Sequence, residues 1–139
     1  MFLLDTNVVS EVYKGNRHTA DPRVLAWEKS VALDELFLSV VTLLELEAGV
    51  LRMERRDAIQ GARLRALLNL RIVPGFADRI LYVDTRVAQR CAHLHVPDPA
   101  PFRDSLIAAT ALVHGLTVVT RNVRDFEPTG VRIVNPWSV

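Results

Sequence analysis

The sequence predicts an α/β fold: a parallel β-sheet with helices packed on both faces. Three observations lead there. Short apolar runs alternate with helical patterns along the whole chain, the apolar runs lack strict in–out alternation, and turn residues punctuate nearly every junction. At 139 residues, half of them apolar and 24% charged, the composition is that of a globular chain. A chain of this size removes about 70% of its unfolded surface from water, so one core forms without covalent staples. Cys91 is the sole cysteine, which excludes an internal disulfide and a cysteine-rich zinc site.

The elements follow in order. Phe2-Leu3-Leu4 is a first buried strand, ending in the cap residues Asp5-Thr6-Asn7. Val8 to Tyr13 reads as a short helix fraying into a Gly15-Asn16 loop. Pro22 suits the first turn of a helix reaching about Val31. Leu36 to Val41 is the second strand. Thr42 then caps a helix with Glu45 three positions on, a capping-box spacing, and that helix runs to about Arg56. Another helix spans roughly Ala58 to Leu70. Arg79 to Val83 is the third strand, Asp84-Thr85 a cap, and Val87 to about Leu94 a helix.

Proline density makes Val96 to Pro101 a loop. Phe102 to Val113 is apolar all round, which marks a buried helix, and Gly115 closes it. Leu116 to Thr120 is the fourth strand, Arg121 to Phe126 a polar loop, and Val131 to Val134 the last strand. No linker or repeat divides the chain, so residues 1–139 are expected to be one domain.

Net charge is +1 and argues for no particular partner. Of 17 basic residues, only Lys14 and Lys29 are lysines. The remaining arginines suit bidentate phosphate contacts, although genome composition produces the same bias. No apolar run approaches the ~20 residues of a membrane span. Asp5 follows four residues that lack a basic n-region, so a signal peptide is not expected. The expectation is a cytoplasmic chain without membrane contact.

Open parallel sheets bind ligands beyond the carboxyl ends of their strands. Asp5 follows the first strand, Glu45 falls in the first turn of the helix after the second, Asp104 in the first turn of the buried helix, and Asn122 and Asp125 in the loop after the fourth strand. Each alone is readable as a helix cap, and Asp84 is most simply that. Asp104 is different, because its buried helix must emerge at the crevice edge. Two carboxylates ~5 Å apart repel by ~3 kcal/mol at an effective dielectric of 20, so a cluster of them calls for a cation. Oxygen ligands select Mg²⁺ or Mn²⁺ over zinc, and the four histidines show no zinc-ligand spacing. The glycines form no GxGxxG and no P-loop. An aspartyl-phosphate hydrolase would want an acid where Asn7 stands, and a receiver domain would need a lysine late in the chain.

The segments Met1-Phe2-Leu3-Leu4-Asp5-Thr6-Asn7-Val8-Val9-Ser10-Glu11, Thr42-Leu43-Leu44-Glu45-Leu46, Asp104-Ser105-Leu106-Ile107-Ala108-Ala109-Thr110-Ala111 and Thr120-Arg121-Asn122-Val123-Arg124-Asp125-Phe126 resemble, in order and spacing, the motifs of PIN-domain ribonucleases. Within them the likeness is to the VapC toxins of type II toxin–antitoxin systems, and the ending Val134-Asn135-Pro136-Trp137 is similar to the FitB-like branch. The resemblance spans essentially the whole chain. It implies a three-layer α/β/α sandwich with a mostly parallel sheet of order 3-2-1-4-5, and a metal-dependent endoribonuclease. Asp5, Glu45 and Asp104 would form the acidic core and hold Mg²⁺, or Mn²⁺. Relatives often carry an acid where this chain has Asn122, and Asp125 either supplies that charge or only orients the loop. Thr6 and Asn7 would order water or a substrate phosphate, or merely cap the helix.

Metal-activated water attacking in line would leave a 5′-phosphate and a 3′-hydroxyl on RNA. Arg121 and Arg124 are candidates for phosphate contact. Arg52, Arg55, Arg56, Arg63 and Arg65 would track an RNA backbone, or form a solvated face with Glu54 and Asp57. The resemblance further implies a homodimer and an antitoxin lying near the helix pair that follows Glu45. Two other readings compete: a PIN domain that binds RNA or protein without cleaving, and a metal-dependent phosphatase.

Overall fold

A computed structural model describes residues 1–15 and 18–138; Asn16, part of the loop expected after the first helix, lies outside the described residues. Five parallel strands form the sheet, in the order β3-β2-β1-β4-β5. β1 (Phe2–Leu4) is central. Its Leu3 pairs with Phe37 of β2 (Leu36–Ser39) on one side and with Val118 of β4 (Thr117–Val119) on the other. β3 (Ile80–Leu81) and β5 (Ile133–Val134) are the edges. All five strands point the same way, so all their carboxyl ends lie along one rim. That is the order and layering expected.

The apolar runs bury both faces of the sheet. Leu4, Leu38 and Val119 face one layer, packing on Val8, Val9, Val50, Leu68, Ile72 and Phe76. Leu3 and Val118 face the other, against Ile107, Ala108, Ala111 and Phe126. The second layer is led by α7 (Phe102–His114), whose alanines let it sit close to the sheet. Gly115, at φ +68°, ends that helix in the left-handed conformation that favours glycine. Asp84 caps α6 (Thr85–Leu94) by accepting from the Val87 amide, the bland role anticipated for it.

Several boundaries differ from expectation, four of them in ways that bear on the fold around the site. α1 (Thr6–Val12) starts two residues early, because Asp5 itself is the cap. α3 (Val40–Arg56) is capped by Ser39, which accepts from the Val41 amide, and not by Thr42. The expected capping box is therefore absent: Thr42 sits inside the helix with its buried hydroxyl unpartnered among the described residues, and Glu45 moves to the second turn. α4 (Ala58–Leu67) does not stop near Leu70 but continues through a π turn (Leu68–Ile72) into α5 (Val73–Gly75). The Val73 amide reaches back to the Leu68 carbonyl, and this widened turn accommodates Pro74, which has no N–H to give. Finally, the expected loop 121–126 contains the short helix α8 (Val123–Phe126), pinned by fully buried Phe126.

α2 (Pro22–Lys29) opens on an Asp21 cap, as its proline implied. α3 and α4 cross closely at Gly61, where an added Cβ would lie 2.5 Å from the Glu54 Cα. No helix among the described residues is long and apolar enough to cross a membrane.

Candidate active site

Strand order reverses between β1 and β4, and the crevice at that switch is where the acids gather. Asp5 leaves β1 with its amide still bonded to the Val119 carbonyl at 2.9 Å. Its side chain is fully buried and held on both oxygens: Oδ1 accepts from the Thr6 amide at 2.8 Å, and Oδ2 from the Thr120 hydroxyl at 2.7 Å. A buried carboxylate is tolerable only with such partners. The Asn7 side chain bridges Asp5 Oδ2 and Thr120 Oγ1, each at 3.5 Å, while its own oxygen accepts from the Arg121 amide at 3.3 Å. Asn7 and Thr6 thus brace the first helical turn; neither is its cap.

Two further acids meet Asp5 from opposite layers. Glu45 reaches in from α3, its Oε1 accepting from the Thr6 hydroxyl at 2.5 Å. Asp104 reaches in from the first turn of α7. Between the three carboxylates lies the guanidinium of Arg103. Nε donates to Glu45 Oε2 at 2.5 Å, Nη2 to Asp5 Oδ1 at 2.6 Å, and Nη1 to Asp104 Oδ1. The guanidinium is held firmly charged: burial works against its charge, but the bond to Glu45 and the charge of Asp5 outweigh that and raise its pKa. Burial, with the nearby charges of Asp125 and Asp5, pushes the Asp104 carboxyl above its ordinary value, with Arg103 opposing.

Three carboxylates facing one guanidinium leave an excess of negative charge in a poorly hydrated crevice. That excess and the all-oxygen donor set suit a hard divalent cation such as Mg²⁺ or Mn²⁺. Among the described residues, no three acidic, imidazole or thiol side chains stand in metal-ligand geometry. Each of the three carboxylates is instead bonded to a different nitrogen of Arg103. The donors fit the ion; the arrangement is that of a guanidinium-filled pocket.

The fourth position is looser. Asn122 is exposed, and only its amide bonds inward, to Thr120 Oγ1 at 2.9 Å. Asp125 is exposed too, and shares with Asp104 a cleft of about 430 Å³ lined also by His93, Pro101 and Thr129. Arg124 is exposed on α8, whereas Arg121 lies over the Trp137 ring, 5.2 Å from its centroid. In the α3–α4 cluster, Arg65 pairs with Glu47 and Glu54, and Asp57 caps α4; Arg52, Arg55, Arg56 and Arg63 remain exposed.

Sequence reasoning missed two residues of this pocket. Thr120 carried a signal, a hydroxyl at the end of a central strand beside Asp5. Arg103 carried only its adjacency to Asp104, which does not say where a long side chain will reach. A hydroxyl–imidazole contact behind the pocket was also unforeseen: buried Ser105 lies 2.9 Å from His95 Nε2 and donates to the Pro101 carbonyl at 2.7 Å, fastening the proline loop to α7.

An acid-lined crevice at the switch point of a 3-2-1-4-5 sheet defines a class, and sequence comparison agrees with it. The chain belongs to the PIN-domain family, whose model matches residues 2–130. It is 38% identical over 146 aligned residues to the toxin FitB of Neisseria gonorrhoeae, and 35% identical over 146 to the VapC ribonuclease Y4jK of Sinorhizobium fredii; each alignment covers 99% of both chains. The crystal structure of FitAcB from Neisseria gonorrhoeae superposes with a TM-score of 0.90 at 36% identity, over the whole of both chains.

Proposed function

We propose that this chain is a divalent-metal-dependent endoribonuclease and the toxin of a toxin–antitoxin pair. One observation carries the reading: Asp5, Glu45 and Asp104, distant in sequence and brought in by three different elements, converge on a single cation. The relatives named as a VapC ribonuclease and as a toxin align along essentially their full length, which supports the same assignment.

Asp5, Asp104 and Glu45 would hold Mg²⁺, with Mn²⁺ as its substitute. A bound ion of this kind supplies an acidified water and a Lewis acid for the scissile phosphate. The chain's own groups do the rest. The Thr6 amide and the Thr120 hydroxyl hold the Asp5 carboxyl in place, so it is oriented before the reaction begins. Thr6 also fixes Glu45, and Asn7 ties the first helical turn to the strand end. The cleft shared by Asp104 and Asp125 is the candidate path for RNA, and Arg121 and Arg124, which follow β4, are the candidates for phosphate contact. Asp125 at this rim supplements the charge that Asn122 does not. In-line displacement would leave a 5′-phosphate and a 3′-hydroxyl.

For the antitoxin, the candidate seat is a mostly apolar cleft of about 480 Å³ between α1 and the α3–α4 pair, lined by Val9, Tyr13, Leu46, Leu64 and Leu67 and ending at Glu45. A homodimer working in the cytoplasm completes the proposal. The test is cleavage of a fluorogenic RNA by the full chain, with and without EDTA, beside Asp5→Asn. Cleavage abolished by both treatments is expected; cleavage that survives both contradicts the reading.

A further inference from the structure

The pocket proposed to bind a divalent ion already contains a cation supplied by the chain itself, and the groups that meet there are held in different ways. Asp5 is anchored by Thr6 and Thr120 and is fully buried. Glu45 is anchored by the Thr6 hydroxyl. Arg103, by contrast, is bonded among the described residues through the pocket alone: besides the three carboxylates its side chain donates to Thr6 Oγ1 at 3.4 Å, and about a third of it is open to solvent. Its long arm springs from the first turn of α7, at the mouth of the crevice. Asp5 and Glu45 are thus held by groups other than the arginine, whereas the arginine is held by the pocket.

The oxygens it uses are the ones an ion would need. Mg²⁺ bonds carboxylate oxygen at about 2.0–2.1 Å, and Asp5 Oδ1, Glu45 Oε2 and Asp104 Oδ1 all lie in bonding contact with guanidinium nitrogens. A guanidinium and an ion drawing on the same oxygens lie close enough to repel each other. Among the described residues the three carboxylates, each bonded to Arg103, do not stand in metal-ligand geometry. The structure describes the guanidinium-bound arrangement.

We infer that Arg103 is a resident counter-cation: it neutralises and holds the acidic pocket when no metal is present, and the divalent ion must displace it to bind. Resting on the metal-dependent reading above, this makes Arg103 the residue that sets how much metal the protein needs. Without it, the pocket loses its internal competitor and its internal support together. The two effects have opposite signs, which a merely structural arginine would not produce.

The experiment is calorimetric titration of the full chain with Mn²⁺, comparing wild type, Arg103→Met and Arg103→Lys, with melting temperatures recorded without and with metal. When a binding-competent state is a minor fraction, apparent affinity falls by that fraction; a pocket closed nine-tenths of the time by Arg103 corresponds to about tenfold. The expected result is a Kd at least about tenfold lower in Arg103→Met, a lower melting temperature without metal, and a larger rise on adding it. Arg103→Lys, a point charge that cannot span three carboxylates, should fall between.

Should Arg103→Met fail to fold, the Nε–Hε proton of Arg103 in the wild type carries the test by ¹⁵N NMR. Its signal should be slow to exchange without metal and should take on the shift and exchange rate of a free arginine at saturating Mg²⁺. Metal binding that leaves this signal, or the Kd of Arg103→Met, unchanged overturns the counter-cation role alone. No binding of Mn²⁺ or Mg²⁺ by any of the chains overturns it together with the metal-dependent reading.

Discussion

Two arginines in this molecule each gather several carboxylates, and they do different things. Arg65 lies between Glu47 and Glu54 on the outer side of the α3–α4 pair, at 2.7 and 3.0 Å. Arg103 lies among Asp5, Glu45 and Asp104. The two guanidiniums are similarly accessible; the acids are not. The side chains of Glu47 and Glu54 are 44% and 36% exposed, whereas those of Asp5, Glu45 and Asp104 are 0%, 28% and 16% exposed. Remove Arg65 and water takes its place. Remove Arg103 and an anchored, desolvated cluster of negative charge is left with nothing inside the protein to balance it. The number of ion pairs does not distinguish a site from a surface; the alternative open to each acid does.

That contrast is breakable in several places. The largest effect belongs to Asp5→Asn, which should lower RNA cleavage at least ~100-fold, equivalent to about 3 kcal/mol of barrier, measured as kcat/KM at saturating metal. Next is Thr120→Val, which removes the hydroxyl that Asp5 Oδ2 accepts from and that accepts the Asn122 amide. Leaving a buried polar group short of a partner costs about 1–3 kcal/mol, read by urea denaturation, and Thr120→Ser should restore most of it. On the surface, Arg65→Met should cost no more than about 1 kcal/mol, and the same denaturation in high salt should erase most of that difference. If Arg65→Met proves as damaging as Thr120→Val, burial of the acids is not what separates the two clusters.

The smallest effect concerns Glu11. Burial pushes its carboxyl upward, but the Lys14 ammonium and the Asp21 amide outweigh this and hold it below its ordinary 4.5. A carboxylate with a depressed folded-state pKa adds stability above its unfolded pKa and loses it as pH falls through the folded one. The stability gap between wild type and Glu11→Gln should therefore be present at neutral pH and close on acidification below 4.5, as followed by thermal melts across that range.

Much of this arrangement was readable before any coordinates. Continuous apolar runs broken by helices mean a parallel sheet, and a parallel sheet sends every strand end to one rim. That is why Asp5 and the start of α7 meet although they lie about a hundred positions apart. What was not readable depended on competition between near-equal local choices. Ser39 and Thr42 are both good caps, and the helix takes Ser39, which moves Glu45 by a turn without removing it from the pocket. The helix expected to end near Leu70 instead runs on through a π turn that accommodates Pro74. Arg103 was invisible for a different reason. Its role depends on side-chain reach into a charge cluster, and no periodicity in the sequence encodes that.

The central claim is that Asp5, Glu45 and Asp104 form one divalent-cation site. Anomalous diffraction from crystals grown with Mn²⁺ tests it most directly. A manganese peak bonded to Asp5 and Asp104, with Glu45 turned toward it and the Arg103 guanidinium withdrawn, is the predicted result. RNA cleavage by a protein whose manganese lies elsewhere, or that carries none between these acids, would contradict it.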